Sequence, residues 1–193
     1  MSLPTVLILG AGYGGIAAAN ALKGSAHVIV VERKQYQDHC IATPRGLCDA
    51  DFAKSIVVDL HNALPHAIVI NDSVTQATMT TVQLASGVAL GFDYLIVATG
   101  SQHAIRPKAT SVADAWAEYQ ANVAILARSK HALIVGGGPV AVETAGELAH
   151  FYPELKLTLV TSGSKLLDAV SHEPYVGRHD FDFIELLPIA GSL

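Results

Sequence analysis

Charge is scarce in this sequence, and what there is does not cluster. Only 15% of its 193 residues are Asp, Glu, Lys or Arg, and the Lys and Arg stand singly, so no basic stripe exists to hold nucleic acid. The net charge of −5 points the same way, and no nucleic-acid partner is expected. Cysteine is rarer still. Cys40 and Cys48 are too few for a secreted disulfide framework, which makes a reducing, cytoplasmic setting the expectation. The nine histidines show no ligand spacing, and His172-Glu173 runs into Pro174 instead of a zinc-binding helical repeat, so no metal site is expected. The stretch from Met1 to Leu22 carries no charge, but Pro4 and the glycines at 10, 12, 14 and 15 break it into strand, turn and helix. It lacks the basic start of a signal peptide, and Ser2 stands where a myristoylation signal needs glycine. No transmembrane segment is expected, although peripheral membrane contact stays open.

What is abundant is apolar residues and glycine. At 51% hydrophobic the chain can bury one large core or two small ones. The run Thr5-Val-Leu-Ile-Leu9 reads as a buried parallel strand and leads into Gly10, Ala11, Gly12, Tyr13, Gly14 and Gly15, with a helix over 14–23 behind them. A second strand over 27–31 delivers Glu32 about twenty residues past the glycines, completing a β-α-β unit with a dinucleotide fingerprint. Here Gly10 serves the tight turn, Gly12 the approach to a pyrophosphate, and Gly15 the packing of helix on strand. Glu32 suits free ribose hydroxyls and repels a 2′-phosphate, which fits FAD or NAD.

A second copy follows. His131-Ala-Leu-Ile-Val135 precedes Gly136, Gly137, Gly138 and Pro139, with Ala141 at the third glycine position and a helix over 139–152. No acid ends its next strand, over 155–160; Val160-Thr161-Ser162 stands there. Ser162 and Lys165 are compatible with a 2′-phosphate or with a plain polar loop, so NADH and NADPH both remain open. Glu143 either faces a nicotinamide cleft, as a catalytic candidate, or merely complements the helix dipole. Two fingerprints in one chain indicate a flavoprotein that takes a second dinucleotide as reductant.

Between the two copies, residues 33–47 read as irregular, 51–62 as a helix and 67–70 as a strand. Thr/Val-rich segments over 73–77, 80–84 and 88–92 suggest an antiparallel meander, and 93–100 returns as a buried strand. Residues 101–110 read as a connector and 111–129 as an amphipathic helix. Beyond Asp168 the signals fade. Seven residues separate Cys40 from Cys48, with Pro44 and Gly46 among them, so two unrelated thiols fit better than a redox pair on one helix.

With these pieces in order, residues 5–167 resemble the apoptosis-inducing-factor-like, ferroptosis-suppressor-type flavoproteins of the pyridine nucleotide-disulphide oxidoreductase superfamily, close to the type II NADH dehydrogenases. Ala98-Thr99-Gly100, Phe151-Tyr-Pro-Glu154 and residues 39–45 carry the likeness beyond the fingerprints. The resemblance implies an α/β fold: a Rossmann-like FAD-binding domain with an antiparallel β-meander over 1–110, then an incomplete Rossmann-like NAD(P)-binding domain over 111–167. It implies an enzyme passing hydride from NADH or NADPH to FAD and electrons on to a quinone-like acceptor. Arg45 matches a family arginine at FAD, Val74 a residue whose backbone meets the adenine, Ala98, Thr99 and Gly100 the turn beside the flavin, and Glu143 a glutamate near the nicotinamide.

The family's later Gly-Asp motif and interface domain have no counterpart here. The chain is therefore expected to be C-terminally truncated, with a divergent or disordered tail over 168–193, weakened FAD binding and exposed sheet edges. The alternative is a catalytically silent dinucleotide-binding fragment that acts by interaction, for example by pairing with a full-length relative.

Overall fold

The computed structural model describes residues 2–101, 105–162, 166–167 and 184–188, the last as backbone. The chain divides into two compact units, one of Met1–Cys40 with Lys54–Glu118 and one of Ile41–Ala53 with Tyr119–Leu193.

In the first unit, β1 (Thr5–Leu9) leads into α1 (Tyr13–Ala21) and β2 (His27–Val31), which pairs parallel with β1 in register Thr5↔His27 to Leu9↔Val31. The alternation of a strand sends β1's side chains both ways. Val6 and Ile8 join Ala19, Val28, Val30, Leu60 and Leu64 on the α1 side. Leu7 and Leu9 meet Val31, Val82 and Leu84 on the other. A strand covered on both faces must be apolar throughout, which is why Thr5-Val-Leu-Ile-Leu9 contains no charge.

Three short strands and three short helices follow β2: β3 (Tyr36–Asp38), α2 (Thr43–Gly46), α3 (Ala50–Ile56), β4 (Val57–Asp59), α4 (Leu60–Ala63) and β5 (Ile68–Ile70), with α2 belonging to the second unit. The single helix expected over 51–62 is thus broken. Ile56-Val57-Val58 brings β-branched side chains that favour strand, and β4 pairs antiparallel with β3. Asp59 then starts a new helix, its carboxylate accepting from the N–H groups of His61 at 2.9 Å and Asn62 at 3.2 Å. The same pairing shows that 33–47, expected to be irregular, holds both β3 and α2.

The meander is as expected, with β6 (Val74–Ala77), β7 (Thr81–Leu84) and β8 (Ala89–Gly91) antiparallel. β9 (Tyr94–Val97) then returns beside β1, giving the parallel order β5-β2-β1-β9. The strands flanking β1 therefore belong to connections running in opposite senses, the switch point beside which α/β sheets bind ligands at their carboxyl ends.

Helix α5 (Val112–Leu126) begins at Ser111, whose Oγ accepts from the Asp114 N–H at 3.1 Å. In the second unit β10 (His131–Val135), α6 (Pro139–Phe151) and β11 (Lys156–Thr161) repeat the β-α-β arrangement. Its core gathers Cys48, Leu148, Leu155 and Leu157. One further strand was not expected: β12 (Ile184–Pro188) pairs parallel with β11, and the rest of 168–193 lies outside the described residues. The Ile-Glu-Leu-Leu-Pro sequence of β12 offers a short apolar run ended by a proline that cannot donate. On β10, Leu133 and Val135 are 64% and 73% exposed.

Candidate dinucleotide site

Behind β1 the chain turns through Gly10 at φ +97°, a conformation few residues other than glycine adopt, and its N–H donates to the Val31 carbonyl at 2.8 Å. A methyl group on Gly10 would overlap the Ala98 carbonyl, and one on Gly15 would overlap the Gly10 carbonyl. The turn, α1 and the end of β9 are thus in backbone contact. Gly12 differs. It is the N-cap of α1, a methyl placed on it would meet nothing within 4 Å, and no side chain caps the helix or places an acid in its first turn. The N–H groups at this end are left for water or an anion.

A cavity of about 610 Å³ opens here, within the range of small-molecule sites. Ala11, Gly12, Glu32, Ala98, Thr99 and Gly100 all line it, so six of the predicted residues converge. Glu32 is fixed by backbone donors, its Oε2 accepting from the Ala11 N–H at 2.9 Å and its Oε1 from the Lys34 N–H at 3.1 Å. Each oxygen keeps a lone pair for a hydroxyl. Gly10 and Gly15 shape the turn behind the cavity. Tyr13 and Gly14 open α1, and the Tyr13 hydroxyl shares a 2.8 Å hydrogen bond with His39 Nδ1.

The other wall was not foreseen. Arg33, Lys34, Tyr36, Asp38, Arg106 and Lys108 also line the cavity. Lys34 Nζ donates to the Pro107 carbonyl at 2.6 Å and lies 5.0 Å from the Tyr36 ring centre. Burial, with the Arg106 charge second, lowers the Lys34 pKa from the usual amine value. Arg106 Nε donates to Asp38 Oδ2 at 2.8 Å. The only hint in the sequence was the pair of cations, Arg33 and Lys34, directly after Glu32; nothing marked the connector holding Arg106 as part of the site.

The second turn repeats the first in its backbone. Gly136 has φ +128° and donates to the Val160 carbonyl at 2.8 Å, as Gly10 does to Val31. Gly138 is the uncapped N-cap of α6, Pro139 takes the first turn, and no acid follows in that turn. A methyl on Gly137 would collide with Thr161. Ala141 is accommodated because its Cβ lies 3.9 Å from where a Gly136 Cβ would be, an ordinary contact. Glu143 is exposed beyond the first turn. Ser162 lies past the end of β11, and Lys165 falls outside the described residues, as do His172, Glu173 and Pro174.

Arg45 and Val74 do not line the cavity. Arg45 belongs to the second unit, where its Nε pairs with Glu147 Oε2 at 3.1 Å and its guanidinium lies 5.5 Å from the Phe52 ring centre. Val74 is an exposed residue of β6 opposite Leu84. Both cysteines are free thiols. Burial, then the Glu147 charge, pushes the Cys48 thiol up to about 12, which makes it a poor nucleophile or redox centre. Among the described residues, no helix is long and apolar enough to cross a membrane.

Comparison with known proteins places the chain among relatives of similar sequence and fold. Apoptosis-inducing factor homolog A of Dictyostelium discoideum is 36% identical over 180 residues, covering 88% of this chain and 44% of that protein. Ferroptosis suppressor protein 1 of Homo sapiens is 32% identical over 174 residues, covering 84% of this chain and 45% of that protein. The chain therefore spans less than half the length of these relatives. In fold it matches the structure of NDH2 from Plasmodium falciparum in complex with NADH, with a TM-score of 0.72 at 18% identity over 97% of this chain and 48% of that one. The sequence pattern of the pyridine nucleotide-disulphide oxidoreductases matches residues 4–175, and the chain is a member of that family.

Proposed function

We propose that this chain is the dinucleotide-binding part of an FAD-dependent NAD(P)H oxidoreductase that delivers electrons to a quinone-like acceptor. The observation that carries the reading is the repeated, uncapped glycine turn at the carboxyl end of a parallel strand, with a fixed carboxylate beside the first copy. FAD fits the first turn. Gly12 leaves room where a phosphate must approach, the α1 N–H groups are unclaimed by a side chain, and Glu32 is held ready for ribose hydroxyls.

When bound, FAD supplies the two-electron chemistry between a nicotinamide and the final acceptor. The chain's own residues bind and orient. Gly12 and the start of α1 hold the pyrophosphate, Glu32 anchors the adenosine ribose, and Ala98, Thr99 and Gly100 border the same cavity. Gly136, Gly137, Gly138 and Pro139 seat NADH or NADPH, with Glu143 positioning the nicotinamide. Arg45 and Val74, matched through the family resemblance, are the further residues assigned to FAD. On this reading residues 1–110 form the FAD-binding part and 111–167 the NAD(P)-binding part. The quinone-like acceptor is supported by kinship with ferroptosis suppressor protein 1.

Titration of the purified chain with FAD, followed by flavin fluorescence quenching, tests the reading. Saturable uptake that ADP competes away supports it. Failure to bind either ligand contradicts it and favours a silent interaction fragment.

A further inference from the structure

The segment ending at Thr110 is not a passive connector. The Arg106 to Thr110 stretch is fastened to residues 34–38 at four points: Arg106 Nε to Asp38 Oδ2 at 2.8 Å, Lys34 Nζ to the Pro107 carbonyl at 2.6 Å, the Tyr36 hydroxyl to the Ala109 carbonyl at 2.9 Å and the Gln35 N–H to the Thr110 carbonyl at 2.7 Å. From the other side, the Glu118 carboxylate accepts from the Lys108 and Ala109 N–H groups, each at 2.8 Å. A loop held this way behaves as part of the wall.

Arg106 lines the cavity, as Lys34, Tyr36 and Asp38 do, and among these fasteners it alone is a cation paired with a carboxylate. Its partner Asp38 is a side chain with 0% exposure, whereas Arg106 keeps 28%. A buried carboxylate is expensive unless paired and hydrogen-bonded, so Asp38 holds the guanidinium strongly and in one orientation. Nε is spent on that contact, and the terminal nitrogens of the planar group are the donors it can offer a ligand.

We infer that Arg106, aimed by Asp38, is a positioning residue for the bound dinucleotide: the pair holds the guanidinium's terminal nitrogens ready as donors in the cavity wall and slows ligand release. The inference rests on the proposal that the first glycine turn binds FAD. It requires no chemistry of its own. Its effect falls on the dissociation rate, because a contact made only once the ligand is seated acts on release more than on encounter.

The test measures FAD release from the reconstituted 193-residue chain by recovery of flavin fluorescence after dilution into excess ADP, for wild type, Asp38→Asn, Arg106→Gln and Arg106→Lys. Losing one charge-assisted contact predicts release about 10- to 100-fold faster in Asp38→Asn and Arg106→Gln, with association within about threefold of wild type. Arg106→Lys keeps the cation and should restore part of the slow release. Melting temperatures measured alongside separate this from simple structural support. Variants that melt lower yet release FAD at the wild-type rate overturn the inference, as does an Arg106→Lys variant no slower than Arg106→Gln. A variant too unstable to load FAD is replaced by Arg106→Lys against wild type alone, where an unchanged rate also overturns it. A wild type that takes up no FAD overturns the underlying proposal instead, and the inference with it.

Discussion

The backbone N–H of Ala11 donates to Glu32 Oε2 at 2.9 Å, joining the glycine turn to the residue that ends β2 across 21 positions of sequence. The carboxylate does two jobs at once: it ties down the turn, and it presents lone pairs to the cavity. Glu32→Gln keeps an acceptor oxygen for one of its two amide partners and loses the charge. FAD affinity is expected to fall about 10- to 100-fold, with the fold retained, as flavin titration and far-UV circular dichroism would report.

Two neighbouring glycines should respond in opposite ways. Gly15→Ala drives a methyl into the Gly10 carbonyl and is expected to destabilise the fold by about 2–3 kcal/mol, read by urea denaturation. Gly12→Ala has open space and an ordinary φ of −75°, so stability should change little, while the methyl obstructs the phosphate and FAD binding is lost. Equal stability losses in the two variants would contradict the assignment of the turn.

Cys48 makes stability depend on alkaline pH. Its folded pKa is raised to about 12, above the ordinary thiol value, so its contribution is complete below about pH 8.5 and is lost as pH rises towards 12, because the unfolded chain ionises first. The urea midpoint should therefore fall between pH 8 and pH 10 more steeply in wild type than in Cys48→Ala. At pH 8 a thiol reagent should label the half-buried Cys40 well before Cys48.

The exposed apolar face of β10 predicts self-association. Replacing Leu133 and Val135 together by threonine keeps β propensity and removes apolar surface, and light scattering at rising concentration should show less aggregate than wild type. Aggregation unchanged by the double substitution would place the sticky surface elsewhere.

Both β-α-β units were legible because their signals are local: an apolar run, glycines at fixed spacing, and an acid or its absence at the end of the next strand. The meander was legible for the same reason, from Thr/Val-rich segments joined by turn residues, and its central strand β7 alternates, with Val82 and Leu84 buried and Thr81 and Gln83 less so. The β3–β4 pair was not, since three-residue strands leave too little periodicity and only pairing across the chain defines them. Nor was the cationic wall. Arg106 and Asp38 are 68 residues apart, and nothing local to either announces the other. The splitting of 51–62 could have been read from Asp59, an N-cap residue directly behind two valines.

The central claim is that the two glycine turns serve one electron transfer from NADH or NADPH to FAD. The most direct test is the visible absorbance spectrum of the purified chain loaded with FAD, recorded before and after anaerobic addition of NADH or NADPH. Bleaching of the flavin band is the predicted result. A flavin spectrum that neither nucleotide changes, or a protein that stays colourless with FAD supplied, would contradict the account.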